Sequence, residues 1–205
     1  MTGPRSQRER TGGPSSGPPD GFNLPDDPQA VDAEPDPFTV AQAIVYRQLT
    51  AAPKSRLQLA RKLAERNIPE DVAEAVLDKF QEVRLINDAE FADMWVRSRS
   101  QSRKLAKGAL RRELAEKGID QETAASALEQ LTDADEESAA RMLVERKLRS
   151  GTDLTDRAER DKTVRRLASM LARKGYQPSL AFRIVNYVLD SRQDPDGGML
   201  QSRYP

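Results

Sequence analysis

Residues 59–68, LARKLAERNI, return twice in the chain, as LRRELAEKGI at 110–119 and as LASMLARKGY at 167–176. The spacings between the copies are 51 and 57 residues. A repeat of this length is typical of stacked supersecondary units, each of which packs only on its neighbours. The repeat therefore predicts an elongated array with an extended surface, a shape that suits binding a polymer better than enclosing a small molecule.

Each copy of the repeat carries two leucines four residues apart, which places both on one face of a helix. We predict that these leucines are buried: Leu59 and Leu63, Leu110 and Leu114, Leu167 and Leu171. Each copy ends in Asn67, Gly118 or Gly175, the residue types that close a helix in a left-handed turn. We interpret all of these positions as structural.

Capping residues and helix breakers divide the central part of the chain into nine predicted helices, without the alternation of a strand. Asp36-Pro37, Ser55 with Gln58, Asp88 and Asp120 are the predicted start signals, and Gly151 follows the seventh helix. The predicted ranges are 37–49, 55–67, 69–83, 89–102, 106–117, 121–131, 136–150, 162–174 and 178–191. The fold class is therefore all-α, with three tandem three-helix modules at residues 38–86, 87–134 and 135–191.

Both ends of the chain differ from this helical part. Residues 1–37 hold eight of the thirteen prolines and five of the eleven glycines, with three basic and seven acidic side chains. Such a composition cannot bury enough apolar surface to offset the entropy of ordering, so we predict a disordered tail. Residues 192–205 are predicted to be a flexible C-terminal tail for the same reason.

The composition argues against catalysis. The chain has no cysteine and no histidine, which excludes disulfides, thiolate chemistry and imidazole acid–base steps. It also lacks a phosphate-binding glycine loop and a nucleophile elbow. The carboxylate pairs Asp26-Asp27 and Asp133 with Asp135 are better explained by capping or solvation than by a metal ion. We predict a non-enzymatic protein without cofactor or metal.

Neither a membrane span nor a secretory signal is visible in the sequence, because no apolar run approaches the required length. We therefore place the protein in the cytoplasm and expect a monomer that does not bind membranes.

Charge is balanced overall, at 33 basic and 33 acidic side chains, but it is distributed unevenly. Residues 97–117 contain eight basic and two acidic side chains, and residues 141–174 contain eleven and five. Residues 120–137 contain seven acidic side chains and no basic one. We predict a basic face that binds a filament or DNA through Arg97, Arg99, Arg103, Lys104, Lys107, Arg111, Arg112, Lys117, Arg141, Arg146, Lys147 and Arg149.

A basic face gains affinity for phosphates by releasing counterions, and it does so without reading base sequence. The alternative is that these charges only solvate the helices. Because two neighbouring modules share the excess, we favour the binding interpretation. Trp95 could in addition stack on a base, although its spacing from Phe91 favours a place in the core.

The central part of the sequence resembles the RecX regulatory proteins. The resemblance covers LINDAEFA at 85–92, Trp95-Val96, Arg99, Lys107-Gly108 and the repeat at 110–119. It departs from the family pattern at Leu85 and Asn87 and in six extra residues before the third copy of the repeat. The tandem three-helix plan agrees with the resemblance.

Membership of that family implies a partner and an activity. The partner is the RecA recombinase in its filament on single-stranded DNA, and contacts with single- and double-stranded DNA are expected. The activity is inhibition of filament growth, ATP hydrolysis and strand exchange, in recombination, repair and the SOS response. A general DNA-binding or scaffolding helical repeat without recombinase specificity remains the alternative.

Overall fold

Nine α-helices make up most of residues 36–148 and 155–193, which are the residues that the computed structural model describes. The helices are α1 Pro37–Ala51, α2 Arg56–Ala64, α3 Glu70–Glu82, α4 Asp88–Arg103, α5 Lys107–Glu116, α6 Gln121–Leu128, α7 Asp133–Lys147, α8 Arg157–Arg173 and α9 Pro178–Gln193. No strand occurs in these two ranges, which confirms the all-α prediction. The predicted tails up to residue 35 and from residue 194, together with Arg149 and Gly151, lie outside the described residues.

Each module has a hydrophobic core of its own. α1, α2 and α3 enclose the first core, α4, α5 and α6 the second, and α7, α8 and α9 the third. The six repeated leucines are all at most 1% exposed, as their spacing predicts. Helices that are consecutive in the chain thus bury their apolar faces mainly within one module.

The start of most helices is determined by a side-chain cap. Ser55 and Gln58 form the predicted capping box, and Asp120 accepts a hydrogen bond from the amide of Thr123 at 2.8 Å. A second box, formed by Thr132 and Asp135, starts α7 at Asp133 rather than at residue 136. Asp156 caps α8 at Arg157, five residues before the predicted start.

The prediction that Asp88 caps the fourth helix is wrong. Asn87 is the cap, because its extended backbone lets its side chain accept a hydrogen bond from the amide of Glu90 at 3.1 Å. Asp88 lies one residue inside α4. Its carboxylate accepts a hydrogen bond from the amide of Arg56, the first residue of α2, at 2.8 Å. A module 2 side chain therefore caps a module 1 helix.

The same arrangement occurs between modules 2 and 3. The carboxylate of Glu136 on α7 accepts a hydrogen bond from the amide of Lys107, the first residue of α5, at 2.6 Å. In both cases, the first helix of one module satisfies a free amide at the start of the second helix of the preceding module. The two junctions between modules thus use the same contact, a carboxylate of one module that caps a helix of the preceding module.

The copies of the repeat also contact one another directly at these junctions. The Ser55 hydroxyl donates a hydrogen bond to the carbonyl of Lys117 at 2.6 Å. At the equivalent positions, the amide of Ala106 donates to the carbonyl of Lys174 at 3.0 Å. At each junction, the start of the second helix of one module therefore contacts the end of the second helix of the next module. The contact lies beside Gly118 at the first junction and beside Gly175 at the second.

Removal of the Asp88 carboxylate tests the first junction. We expect Asp88→Ala to lower the free energy of unfolding by about 0.5–2 kcal/mol, as for the loss of other helix caps. Asp88→Asn is the matched control, since its amide oxygen can still accept the hydrogen bond from Arg56. Denaturant unfolding at neutral pH measures both variants, and equal stability of the alanine variant and the parent would contradict the role in capping.

The Asp88→Asn variant also tests a prediction about how the stability of the protein depends on pH. Burial raises the pKa of the Asp88 carboxyl, and the hydrogen bond from the Arg56 amide opposes this effect only in part. The parent should therefore lose stability as the pH rises through the folded-state pKa of Asp88. Asp88→Asn should lack that loss, which unfolding curves measured across the acidic range would detect.

Candidate nucleic-acid interface

Eleven of the twelve predicted binding residues lie in the described part of the chain. They belong to α4 and its C-cap, to α5 and its C-cap, and to α7. The structure separates them into cations that are engaged within the fold and cations, exposed apart from the half-buried Lys104, that have no acidic partner among the described residues. This separation decides which of them are free to bind a polyanion.

Arg99 and Lys117 are engaged with Trp95. The guanidinium carbon of Arg99 lies 4.2 Å from the centre of the indole ring, and the Lys117 ammonium lies 4.1 Å from it. Trp95 donates a hydrogen bond from its indole nitrogen to the carboxylate of Glu113 at 2.8 Å, and its ring stacks on Phe91. Glu113 also lies 4.0 Å from the Arg99 side chain. These contacts make Trp95 part of the packing of module 2.

Lys107 and Arg141 are engaged as well. The Lys107 ammonium lies 3.2 Å from the carboxylate of Asp133, across the junction between modules 2 and 3. The guanidinium of Arg141 on α7 lies 4.6 Å from the ring centre of Tyr187 on α9. A substitution at either residue would therefore disturb contacts within the protein.

The remaining predicted cations have no carboxylate within ion-pair distance among the described residues. Arg111 and Arg112 on α5 are exposed, while Leu110 and Leu114 of the same helix are buried. The full set is Arg97, Arg103, Lys104, Arg111, Arg112, Arg146 and Lys147. Cations without internal partners are the ones that can exchange counterions for phosphates.

The structure adds Lys174, which the sequence interpretation did not include. Its ammonium donates a hydrogen bond to the carbonyl of Arg103 at 2.6 Å, from module 3 to module 2. Partial burial lowers the pKa of Lys174, and the nearby charges of Arg146, Arg103 and Lys147 lower it further. We call Arg103, Lys104, Arg146, Lys147 and Lys174 the junction cluster.

Lys104 joins this cluster through its backbone. It is the C-cap of α4 in the left-handed conformation, with φ of 52°, and its carbonyl accepts a hydrogen bond from the Tyr176 hydroxyl at 3.0 Å. Lys174 occupies the same repeat position as Lys117, which is the signal in the sequence that could have identified it. Its neighbours in space, by contrast, come from two distant segments.

The acidic residues of the 120–137 segment are mostly engaged within the protein. Asp120 and Asp135 cap helices, Glu136 caps α5 from the next module, and Glu137 pairs with Arg183. In the two described ranges, no group of three or more carboxylates is placed to hold a metal ion. None of the described helices is long and apolar enough to cross a membrane.

Two regions of the chain match family models. Residues 41–80 match the model described as RecX, first three-helix domain, and residues 87–128 match RecX, second three-helix domain. These regions correspond to the first two modules of the structure.

Curated relatives extend the match to most of the chain. Regulatory protein RecX of Streptomyces coelicolor is 50% identical over 155 residues, which cover 76% of this chain and 80% of the relative. Regulatory protein RecX of Thermobifida fusca is 43% identical over 175 residues, which cover 85% and 88%.

A solved structure supports the fold. The crystal structure of RecX from Lactobacillus salivarius superposes with a TM-score of 0.63 and covers 75% of this chain and 97% of that one. Its sequence is 22% identical, so the likeness concerns the fold alone. With relatives this similar over most of their length, the chain belongs to the RecX family of regulatory proteins.

Proposed function

We propose that the protein regulates the RecA recombinase by binding its filament on single-stranded DNA and limiting filament growth, ATP hydrolysis and strand exchange. Membership of a family of regulatory proteins supports a regulatory role. The resemblance of residues 85–119 to the RecX signature supports RecA as the partner. The observation that carries the proposal is the set of exposed, unpaired cations on α4 and α5 of module 2.

The arrangement of these cations suits a charged polymer better than a small ligand. Arg112 is exposed on the side of α5 opposite the buried Leu110 and Leu114, and Arg111 is exposed on its flank. A helix held in this way presents its cations on a fixed support. Contacts of this kind provide affinity for phosphate without base reading, which is appropriate for a regulator that binds filaments on any DNA sequence.

The alternative function is general DNA binding or scaffolding without recombinase specificity. The two functions differ in the amount of protein that inhibition requires. A regulator of filament growth should suppress DNA-dependent ATP hydrolysis by RecA when it is well below one molecule per recombinase subunit. Inhibition that appears only when the DNA is saturated would indicate competition for DNA and would contradict the proposal.

The α5 arginines provide a direct test. We expect the double variant Arg111→Glu, Arg112→Glu to bind the filament more weakly and to reduce the slope of log affinity against log salt by about 2. The fold should persist, because substitutions at exposed positions cost less than about 0.5 kcal/mol each. Filament binding at several salt concentrations, with circular dichroism as the check on folding, measures both effects.

The matched control is Arg165→Glu, Arg166→Glu, which reverses two neighbouring exposed arginines on α8. It changes the net charge by the same amount outside the predicted face. The control should bind the filament nearly as well as the parent. Normal folding and unchanged inhibition in the α5 variant would show that Arg111 and Arg112 only solvate the helix.

A further inference from the structure

Three helix C-termini from two modules meet at the junction cluster. Arg103 is the last residue of α4 and Lys104 is its cap, Arg146 and Lys147 lie in the last turn of α7, and Lys174 caps α8. α4 belongs to module 2, whereas α7 and α8 belong to module 3. The cluster therefore exists only while the two modules are in contact.

The negative ends of the helix dipoles compensate only part of the positive charge of the junction cluster. Cations are favourable at helix C-termini, where each end carries roughly −0.5 of an elementary charge. Three ends then contribute roughly −1.5, and the exposed carboxylate of Glu145 nearby contributes one further negative charge. The five cations outnumber these negative charges, and none of the five forms an ion pair in the described part of the protein. The carboxylates of Asp135 and Glu136, which lie on the other side of Lys104, are engaged in capping α7 and α5.

Hydrogen bonds between the modules hold the Lys174 ammonium and the backbone at Arg103 and Lys104 in place. The Lys174 ammonium is fixed by its hydrogen bond to the carbonyl of Arg103, and the Tyr176 hydroxyl fixes the carbonyl of Lys104. Burial lowers the pKa of Lys174, and the neighbouring charges of Arg146, Arg103 and Lys147 lower it further, as expected for cations that repel one another. An anion bound here would relieve repulsion that the fold maintains.

The surface beside the cluster has room for such an anion. A cleft of about 290 Å³ is lined by Lys104, Met142, Leu143, Glu145 and Arg146. Two of the five cations are guanidinium groups, which bind phosphate oxygens in pairs. Met142 is 54% exposed and gives the cleft an apolar wall. Phosphates linked by an apolar sugar fit this combination better than the carboxylates of an acidic peptide.

We propose that the junction cluster is a composite site for the phosphodiester backbone of single-stranded nucleic acid, and that its occupation holds modules 2 and 3 together. The inference does not depend on the recombinase, because the site would bind free DNA. It also differs from a uniform basic face. Cations from both modules must contact the same strand, so DNA binding and the geometry of the junction are coupled.

Charge reversal at the end of α7 tests the site. Full-length Arg146→Glu, Lys147→Glu should bind a fluorescent oligothymidylate at least about 10-fold more weakly at low salt, with a slope against log salt reduced by about 1.4, which is about 0.7 for each lost phosphate contact on a single strand. Arg165→Glu, Arg166→Glu carries the same change of charge on α8 and should bind nearly as the parent does. Arg146→Gln, Lys147→Gln provides a neutral version if the glutamates disturb the helix end. Parental affinity in both α7 variants would overturn the site.

Competition experiments identify the ligand class. Unlabelled oligothymidylate should displace the labelled strand at far lower concentration than inorganic phosphate or polyglutamate of equal charge. Equal competition by polyglutamate would overturn the nucleic-acid assignment and indicate an acidic protein surface as the ligand. Because no recombinase is present, these results are independent of the test of filament regulation.

The coupling between modules has its own measurement. The chain lacks cysteine, so Ser126→Cys in module 2 and Ser169→Cys in module 3, both exposed, can carry a donor and an acceptor dye. Oligothymidylate should narrow the distribution of energy-transfer efficiencies in the parent and leave it unchanged in the α7 charge-reversal variant. DNA binding by the parent without narrowing would overturn the coupling.

Discussion

Replacement of Leu114 by alanine is expected to lower the free energy of unfolding by about 2–5 kcal/mol. Leu114 is 0% exposed in the core of module 2, where α4, α5 and α6 meet. The truncation removes apolar contacts and leaves a cavity in a core of few large side chains. Trp95 packs against the same core and hydrogen-bonds to the neighbouring Glu113, so its fluorescence reports the unfolding of this module.

Leu85→Ala is the control for this substitution. It removes the same atoms from a side chain that is 49% exposed between α3 and α4. Its effect on stability should be less than about 0.5–1 kcal/mol, since little apolar surface is lost from the interior. An unchanged denaturation midpoint for Leu114→Ala would mean that this leucine does not pack as described.

The second large effect is expected from Gly175→Ala. Gly175 has φ of 88° at the end of α8, a conformation that costs an alanine roughly 1–2 kcal/mol. In addition, a β-carbon there would overlap the backbone of Ala109 on α5, which cannot rotate away. We expect a total loss of stability above about 2 kcal/mol, with disruption of the contact between modules 2 and 3.

Asn67→Ala separates the two contributions. Asn67 occupies the equivalent position at the end of α2, with φ of 56°, and it is exposed. Its replacement should therefore cost at most the backbone contribution of roughly 1–2 kcal/mol, because asparagine tolerates this conformation better than alanine but less well than glycine. Denaturant unfolding of both variants gives the difference, which measures the junction. Equal losses in the two variants would show that the close approach to Ala109 contributes nothing.

Much of the fold could be predicted from the repeat. The spacing of Leu59, Leu110 and Leu167 determines the phase of three helices, and burial of these residues follows from the periodicity. The start of α7 was predicted three residues late. Its capping box uses Asp135, a shorter acid than the usual glutamate, so the usual sequence pattern does not mark this start.

Contacts between modules could not be predicted in the same way. Asp88 has the appearance of a local cap in the sequence, but its partner is the amide of Arg56, 32 residues away. Lys174 lies next to Arg103 and Arg146 only because modules 2 and 3 meet. Helix periodicity and capping motifs contain no information on these contacts, because the contacts depend on the angle at which two modules pack.

The predicted basic face consists of two kinds of residue that the sequence did not distinguish. Arg99, Lys107, Lys117 and Arg141 contact acidic or aromatic side chains within the protein, whereas Arg111 and Arg112 have no such partner among the residues that the structure describes. Charge counting along the chain treats both kinds alike. Only the positions of Trp95, Asp133 and Tyr187 in space separate them.

The type of residue that follows the second helix of a module also depends on the position of that module in the array. Gly118 and Gly175 face the start of the preceding module's second helix, at Leu57 and at Ala109, whereas Asn67 follows the second helix of the first module and is exposed. A side chain is thus tolerated only at the unit that opens the series. In a longer relative built by duplication, glycine at this position would mark every unit after the first. The number of units, and which of them comes first, could then be read from this one position of the repeat.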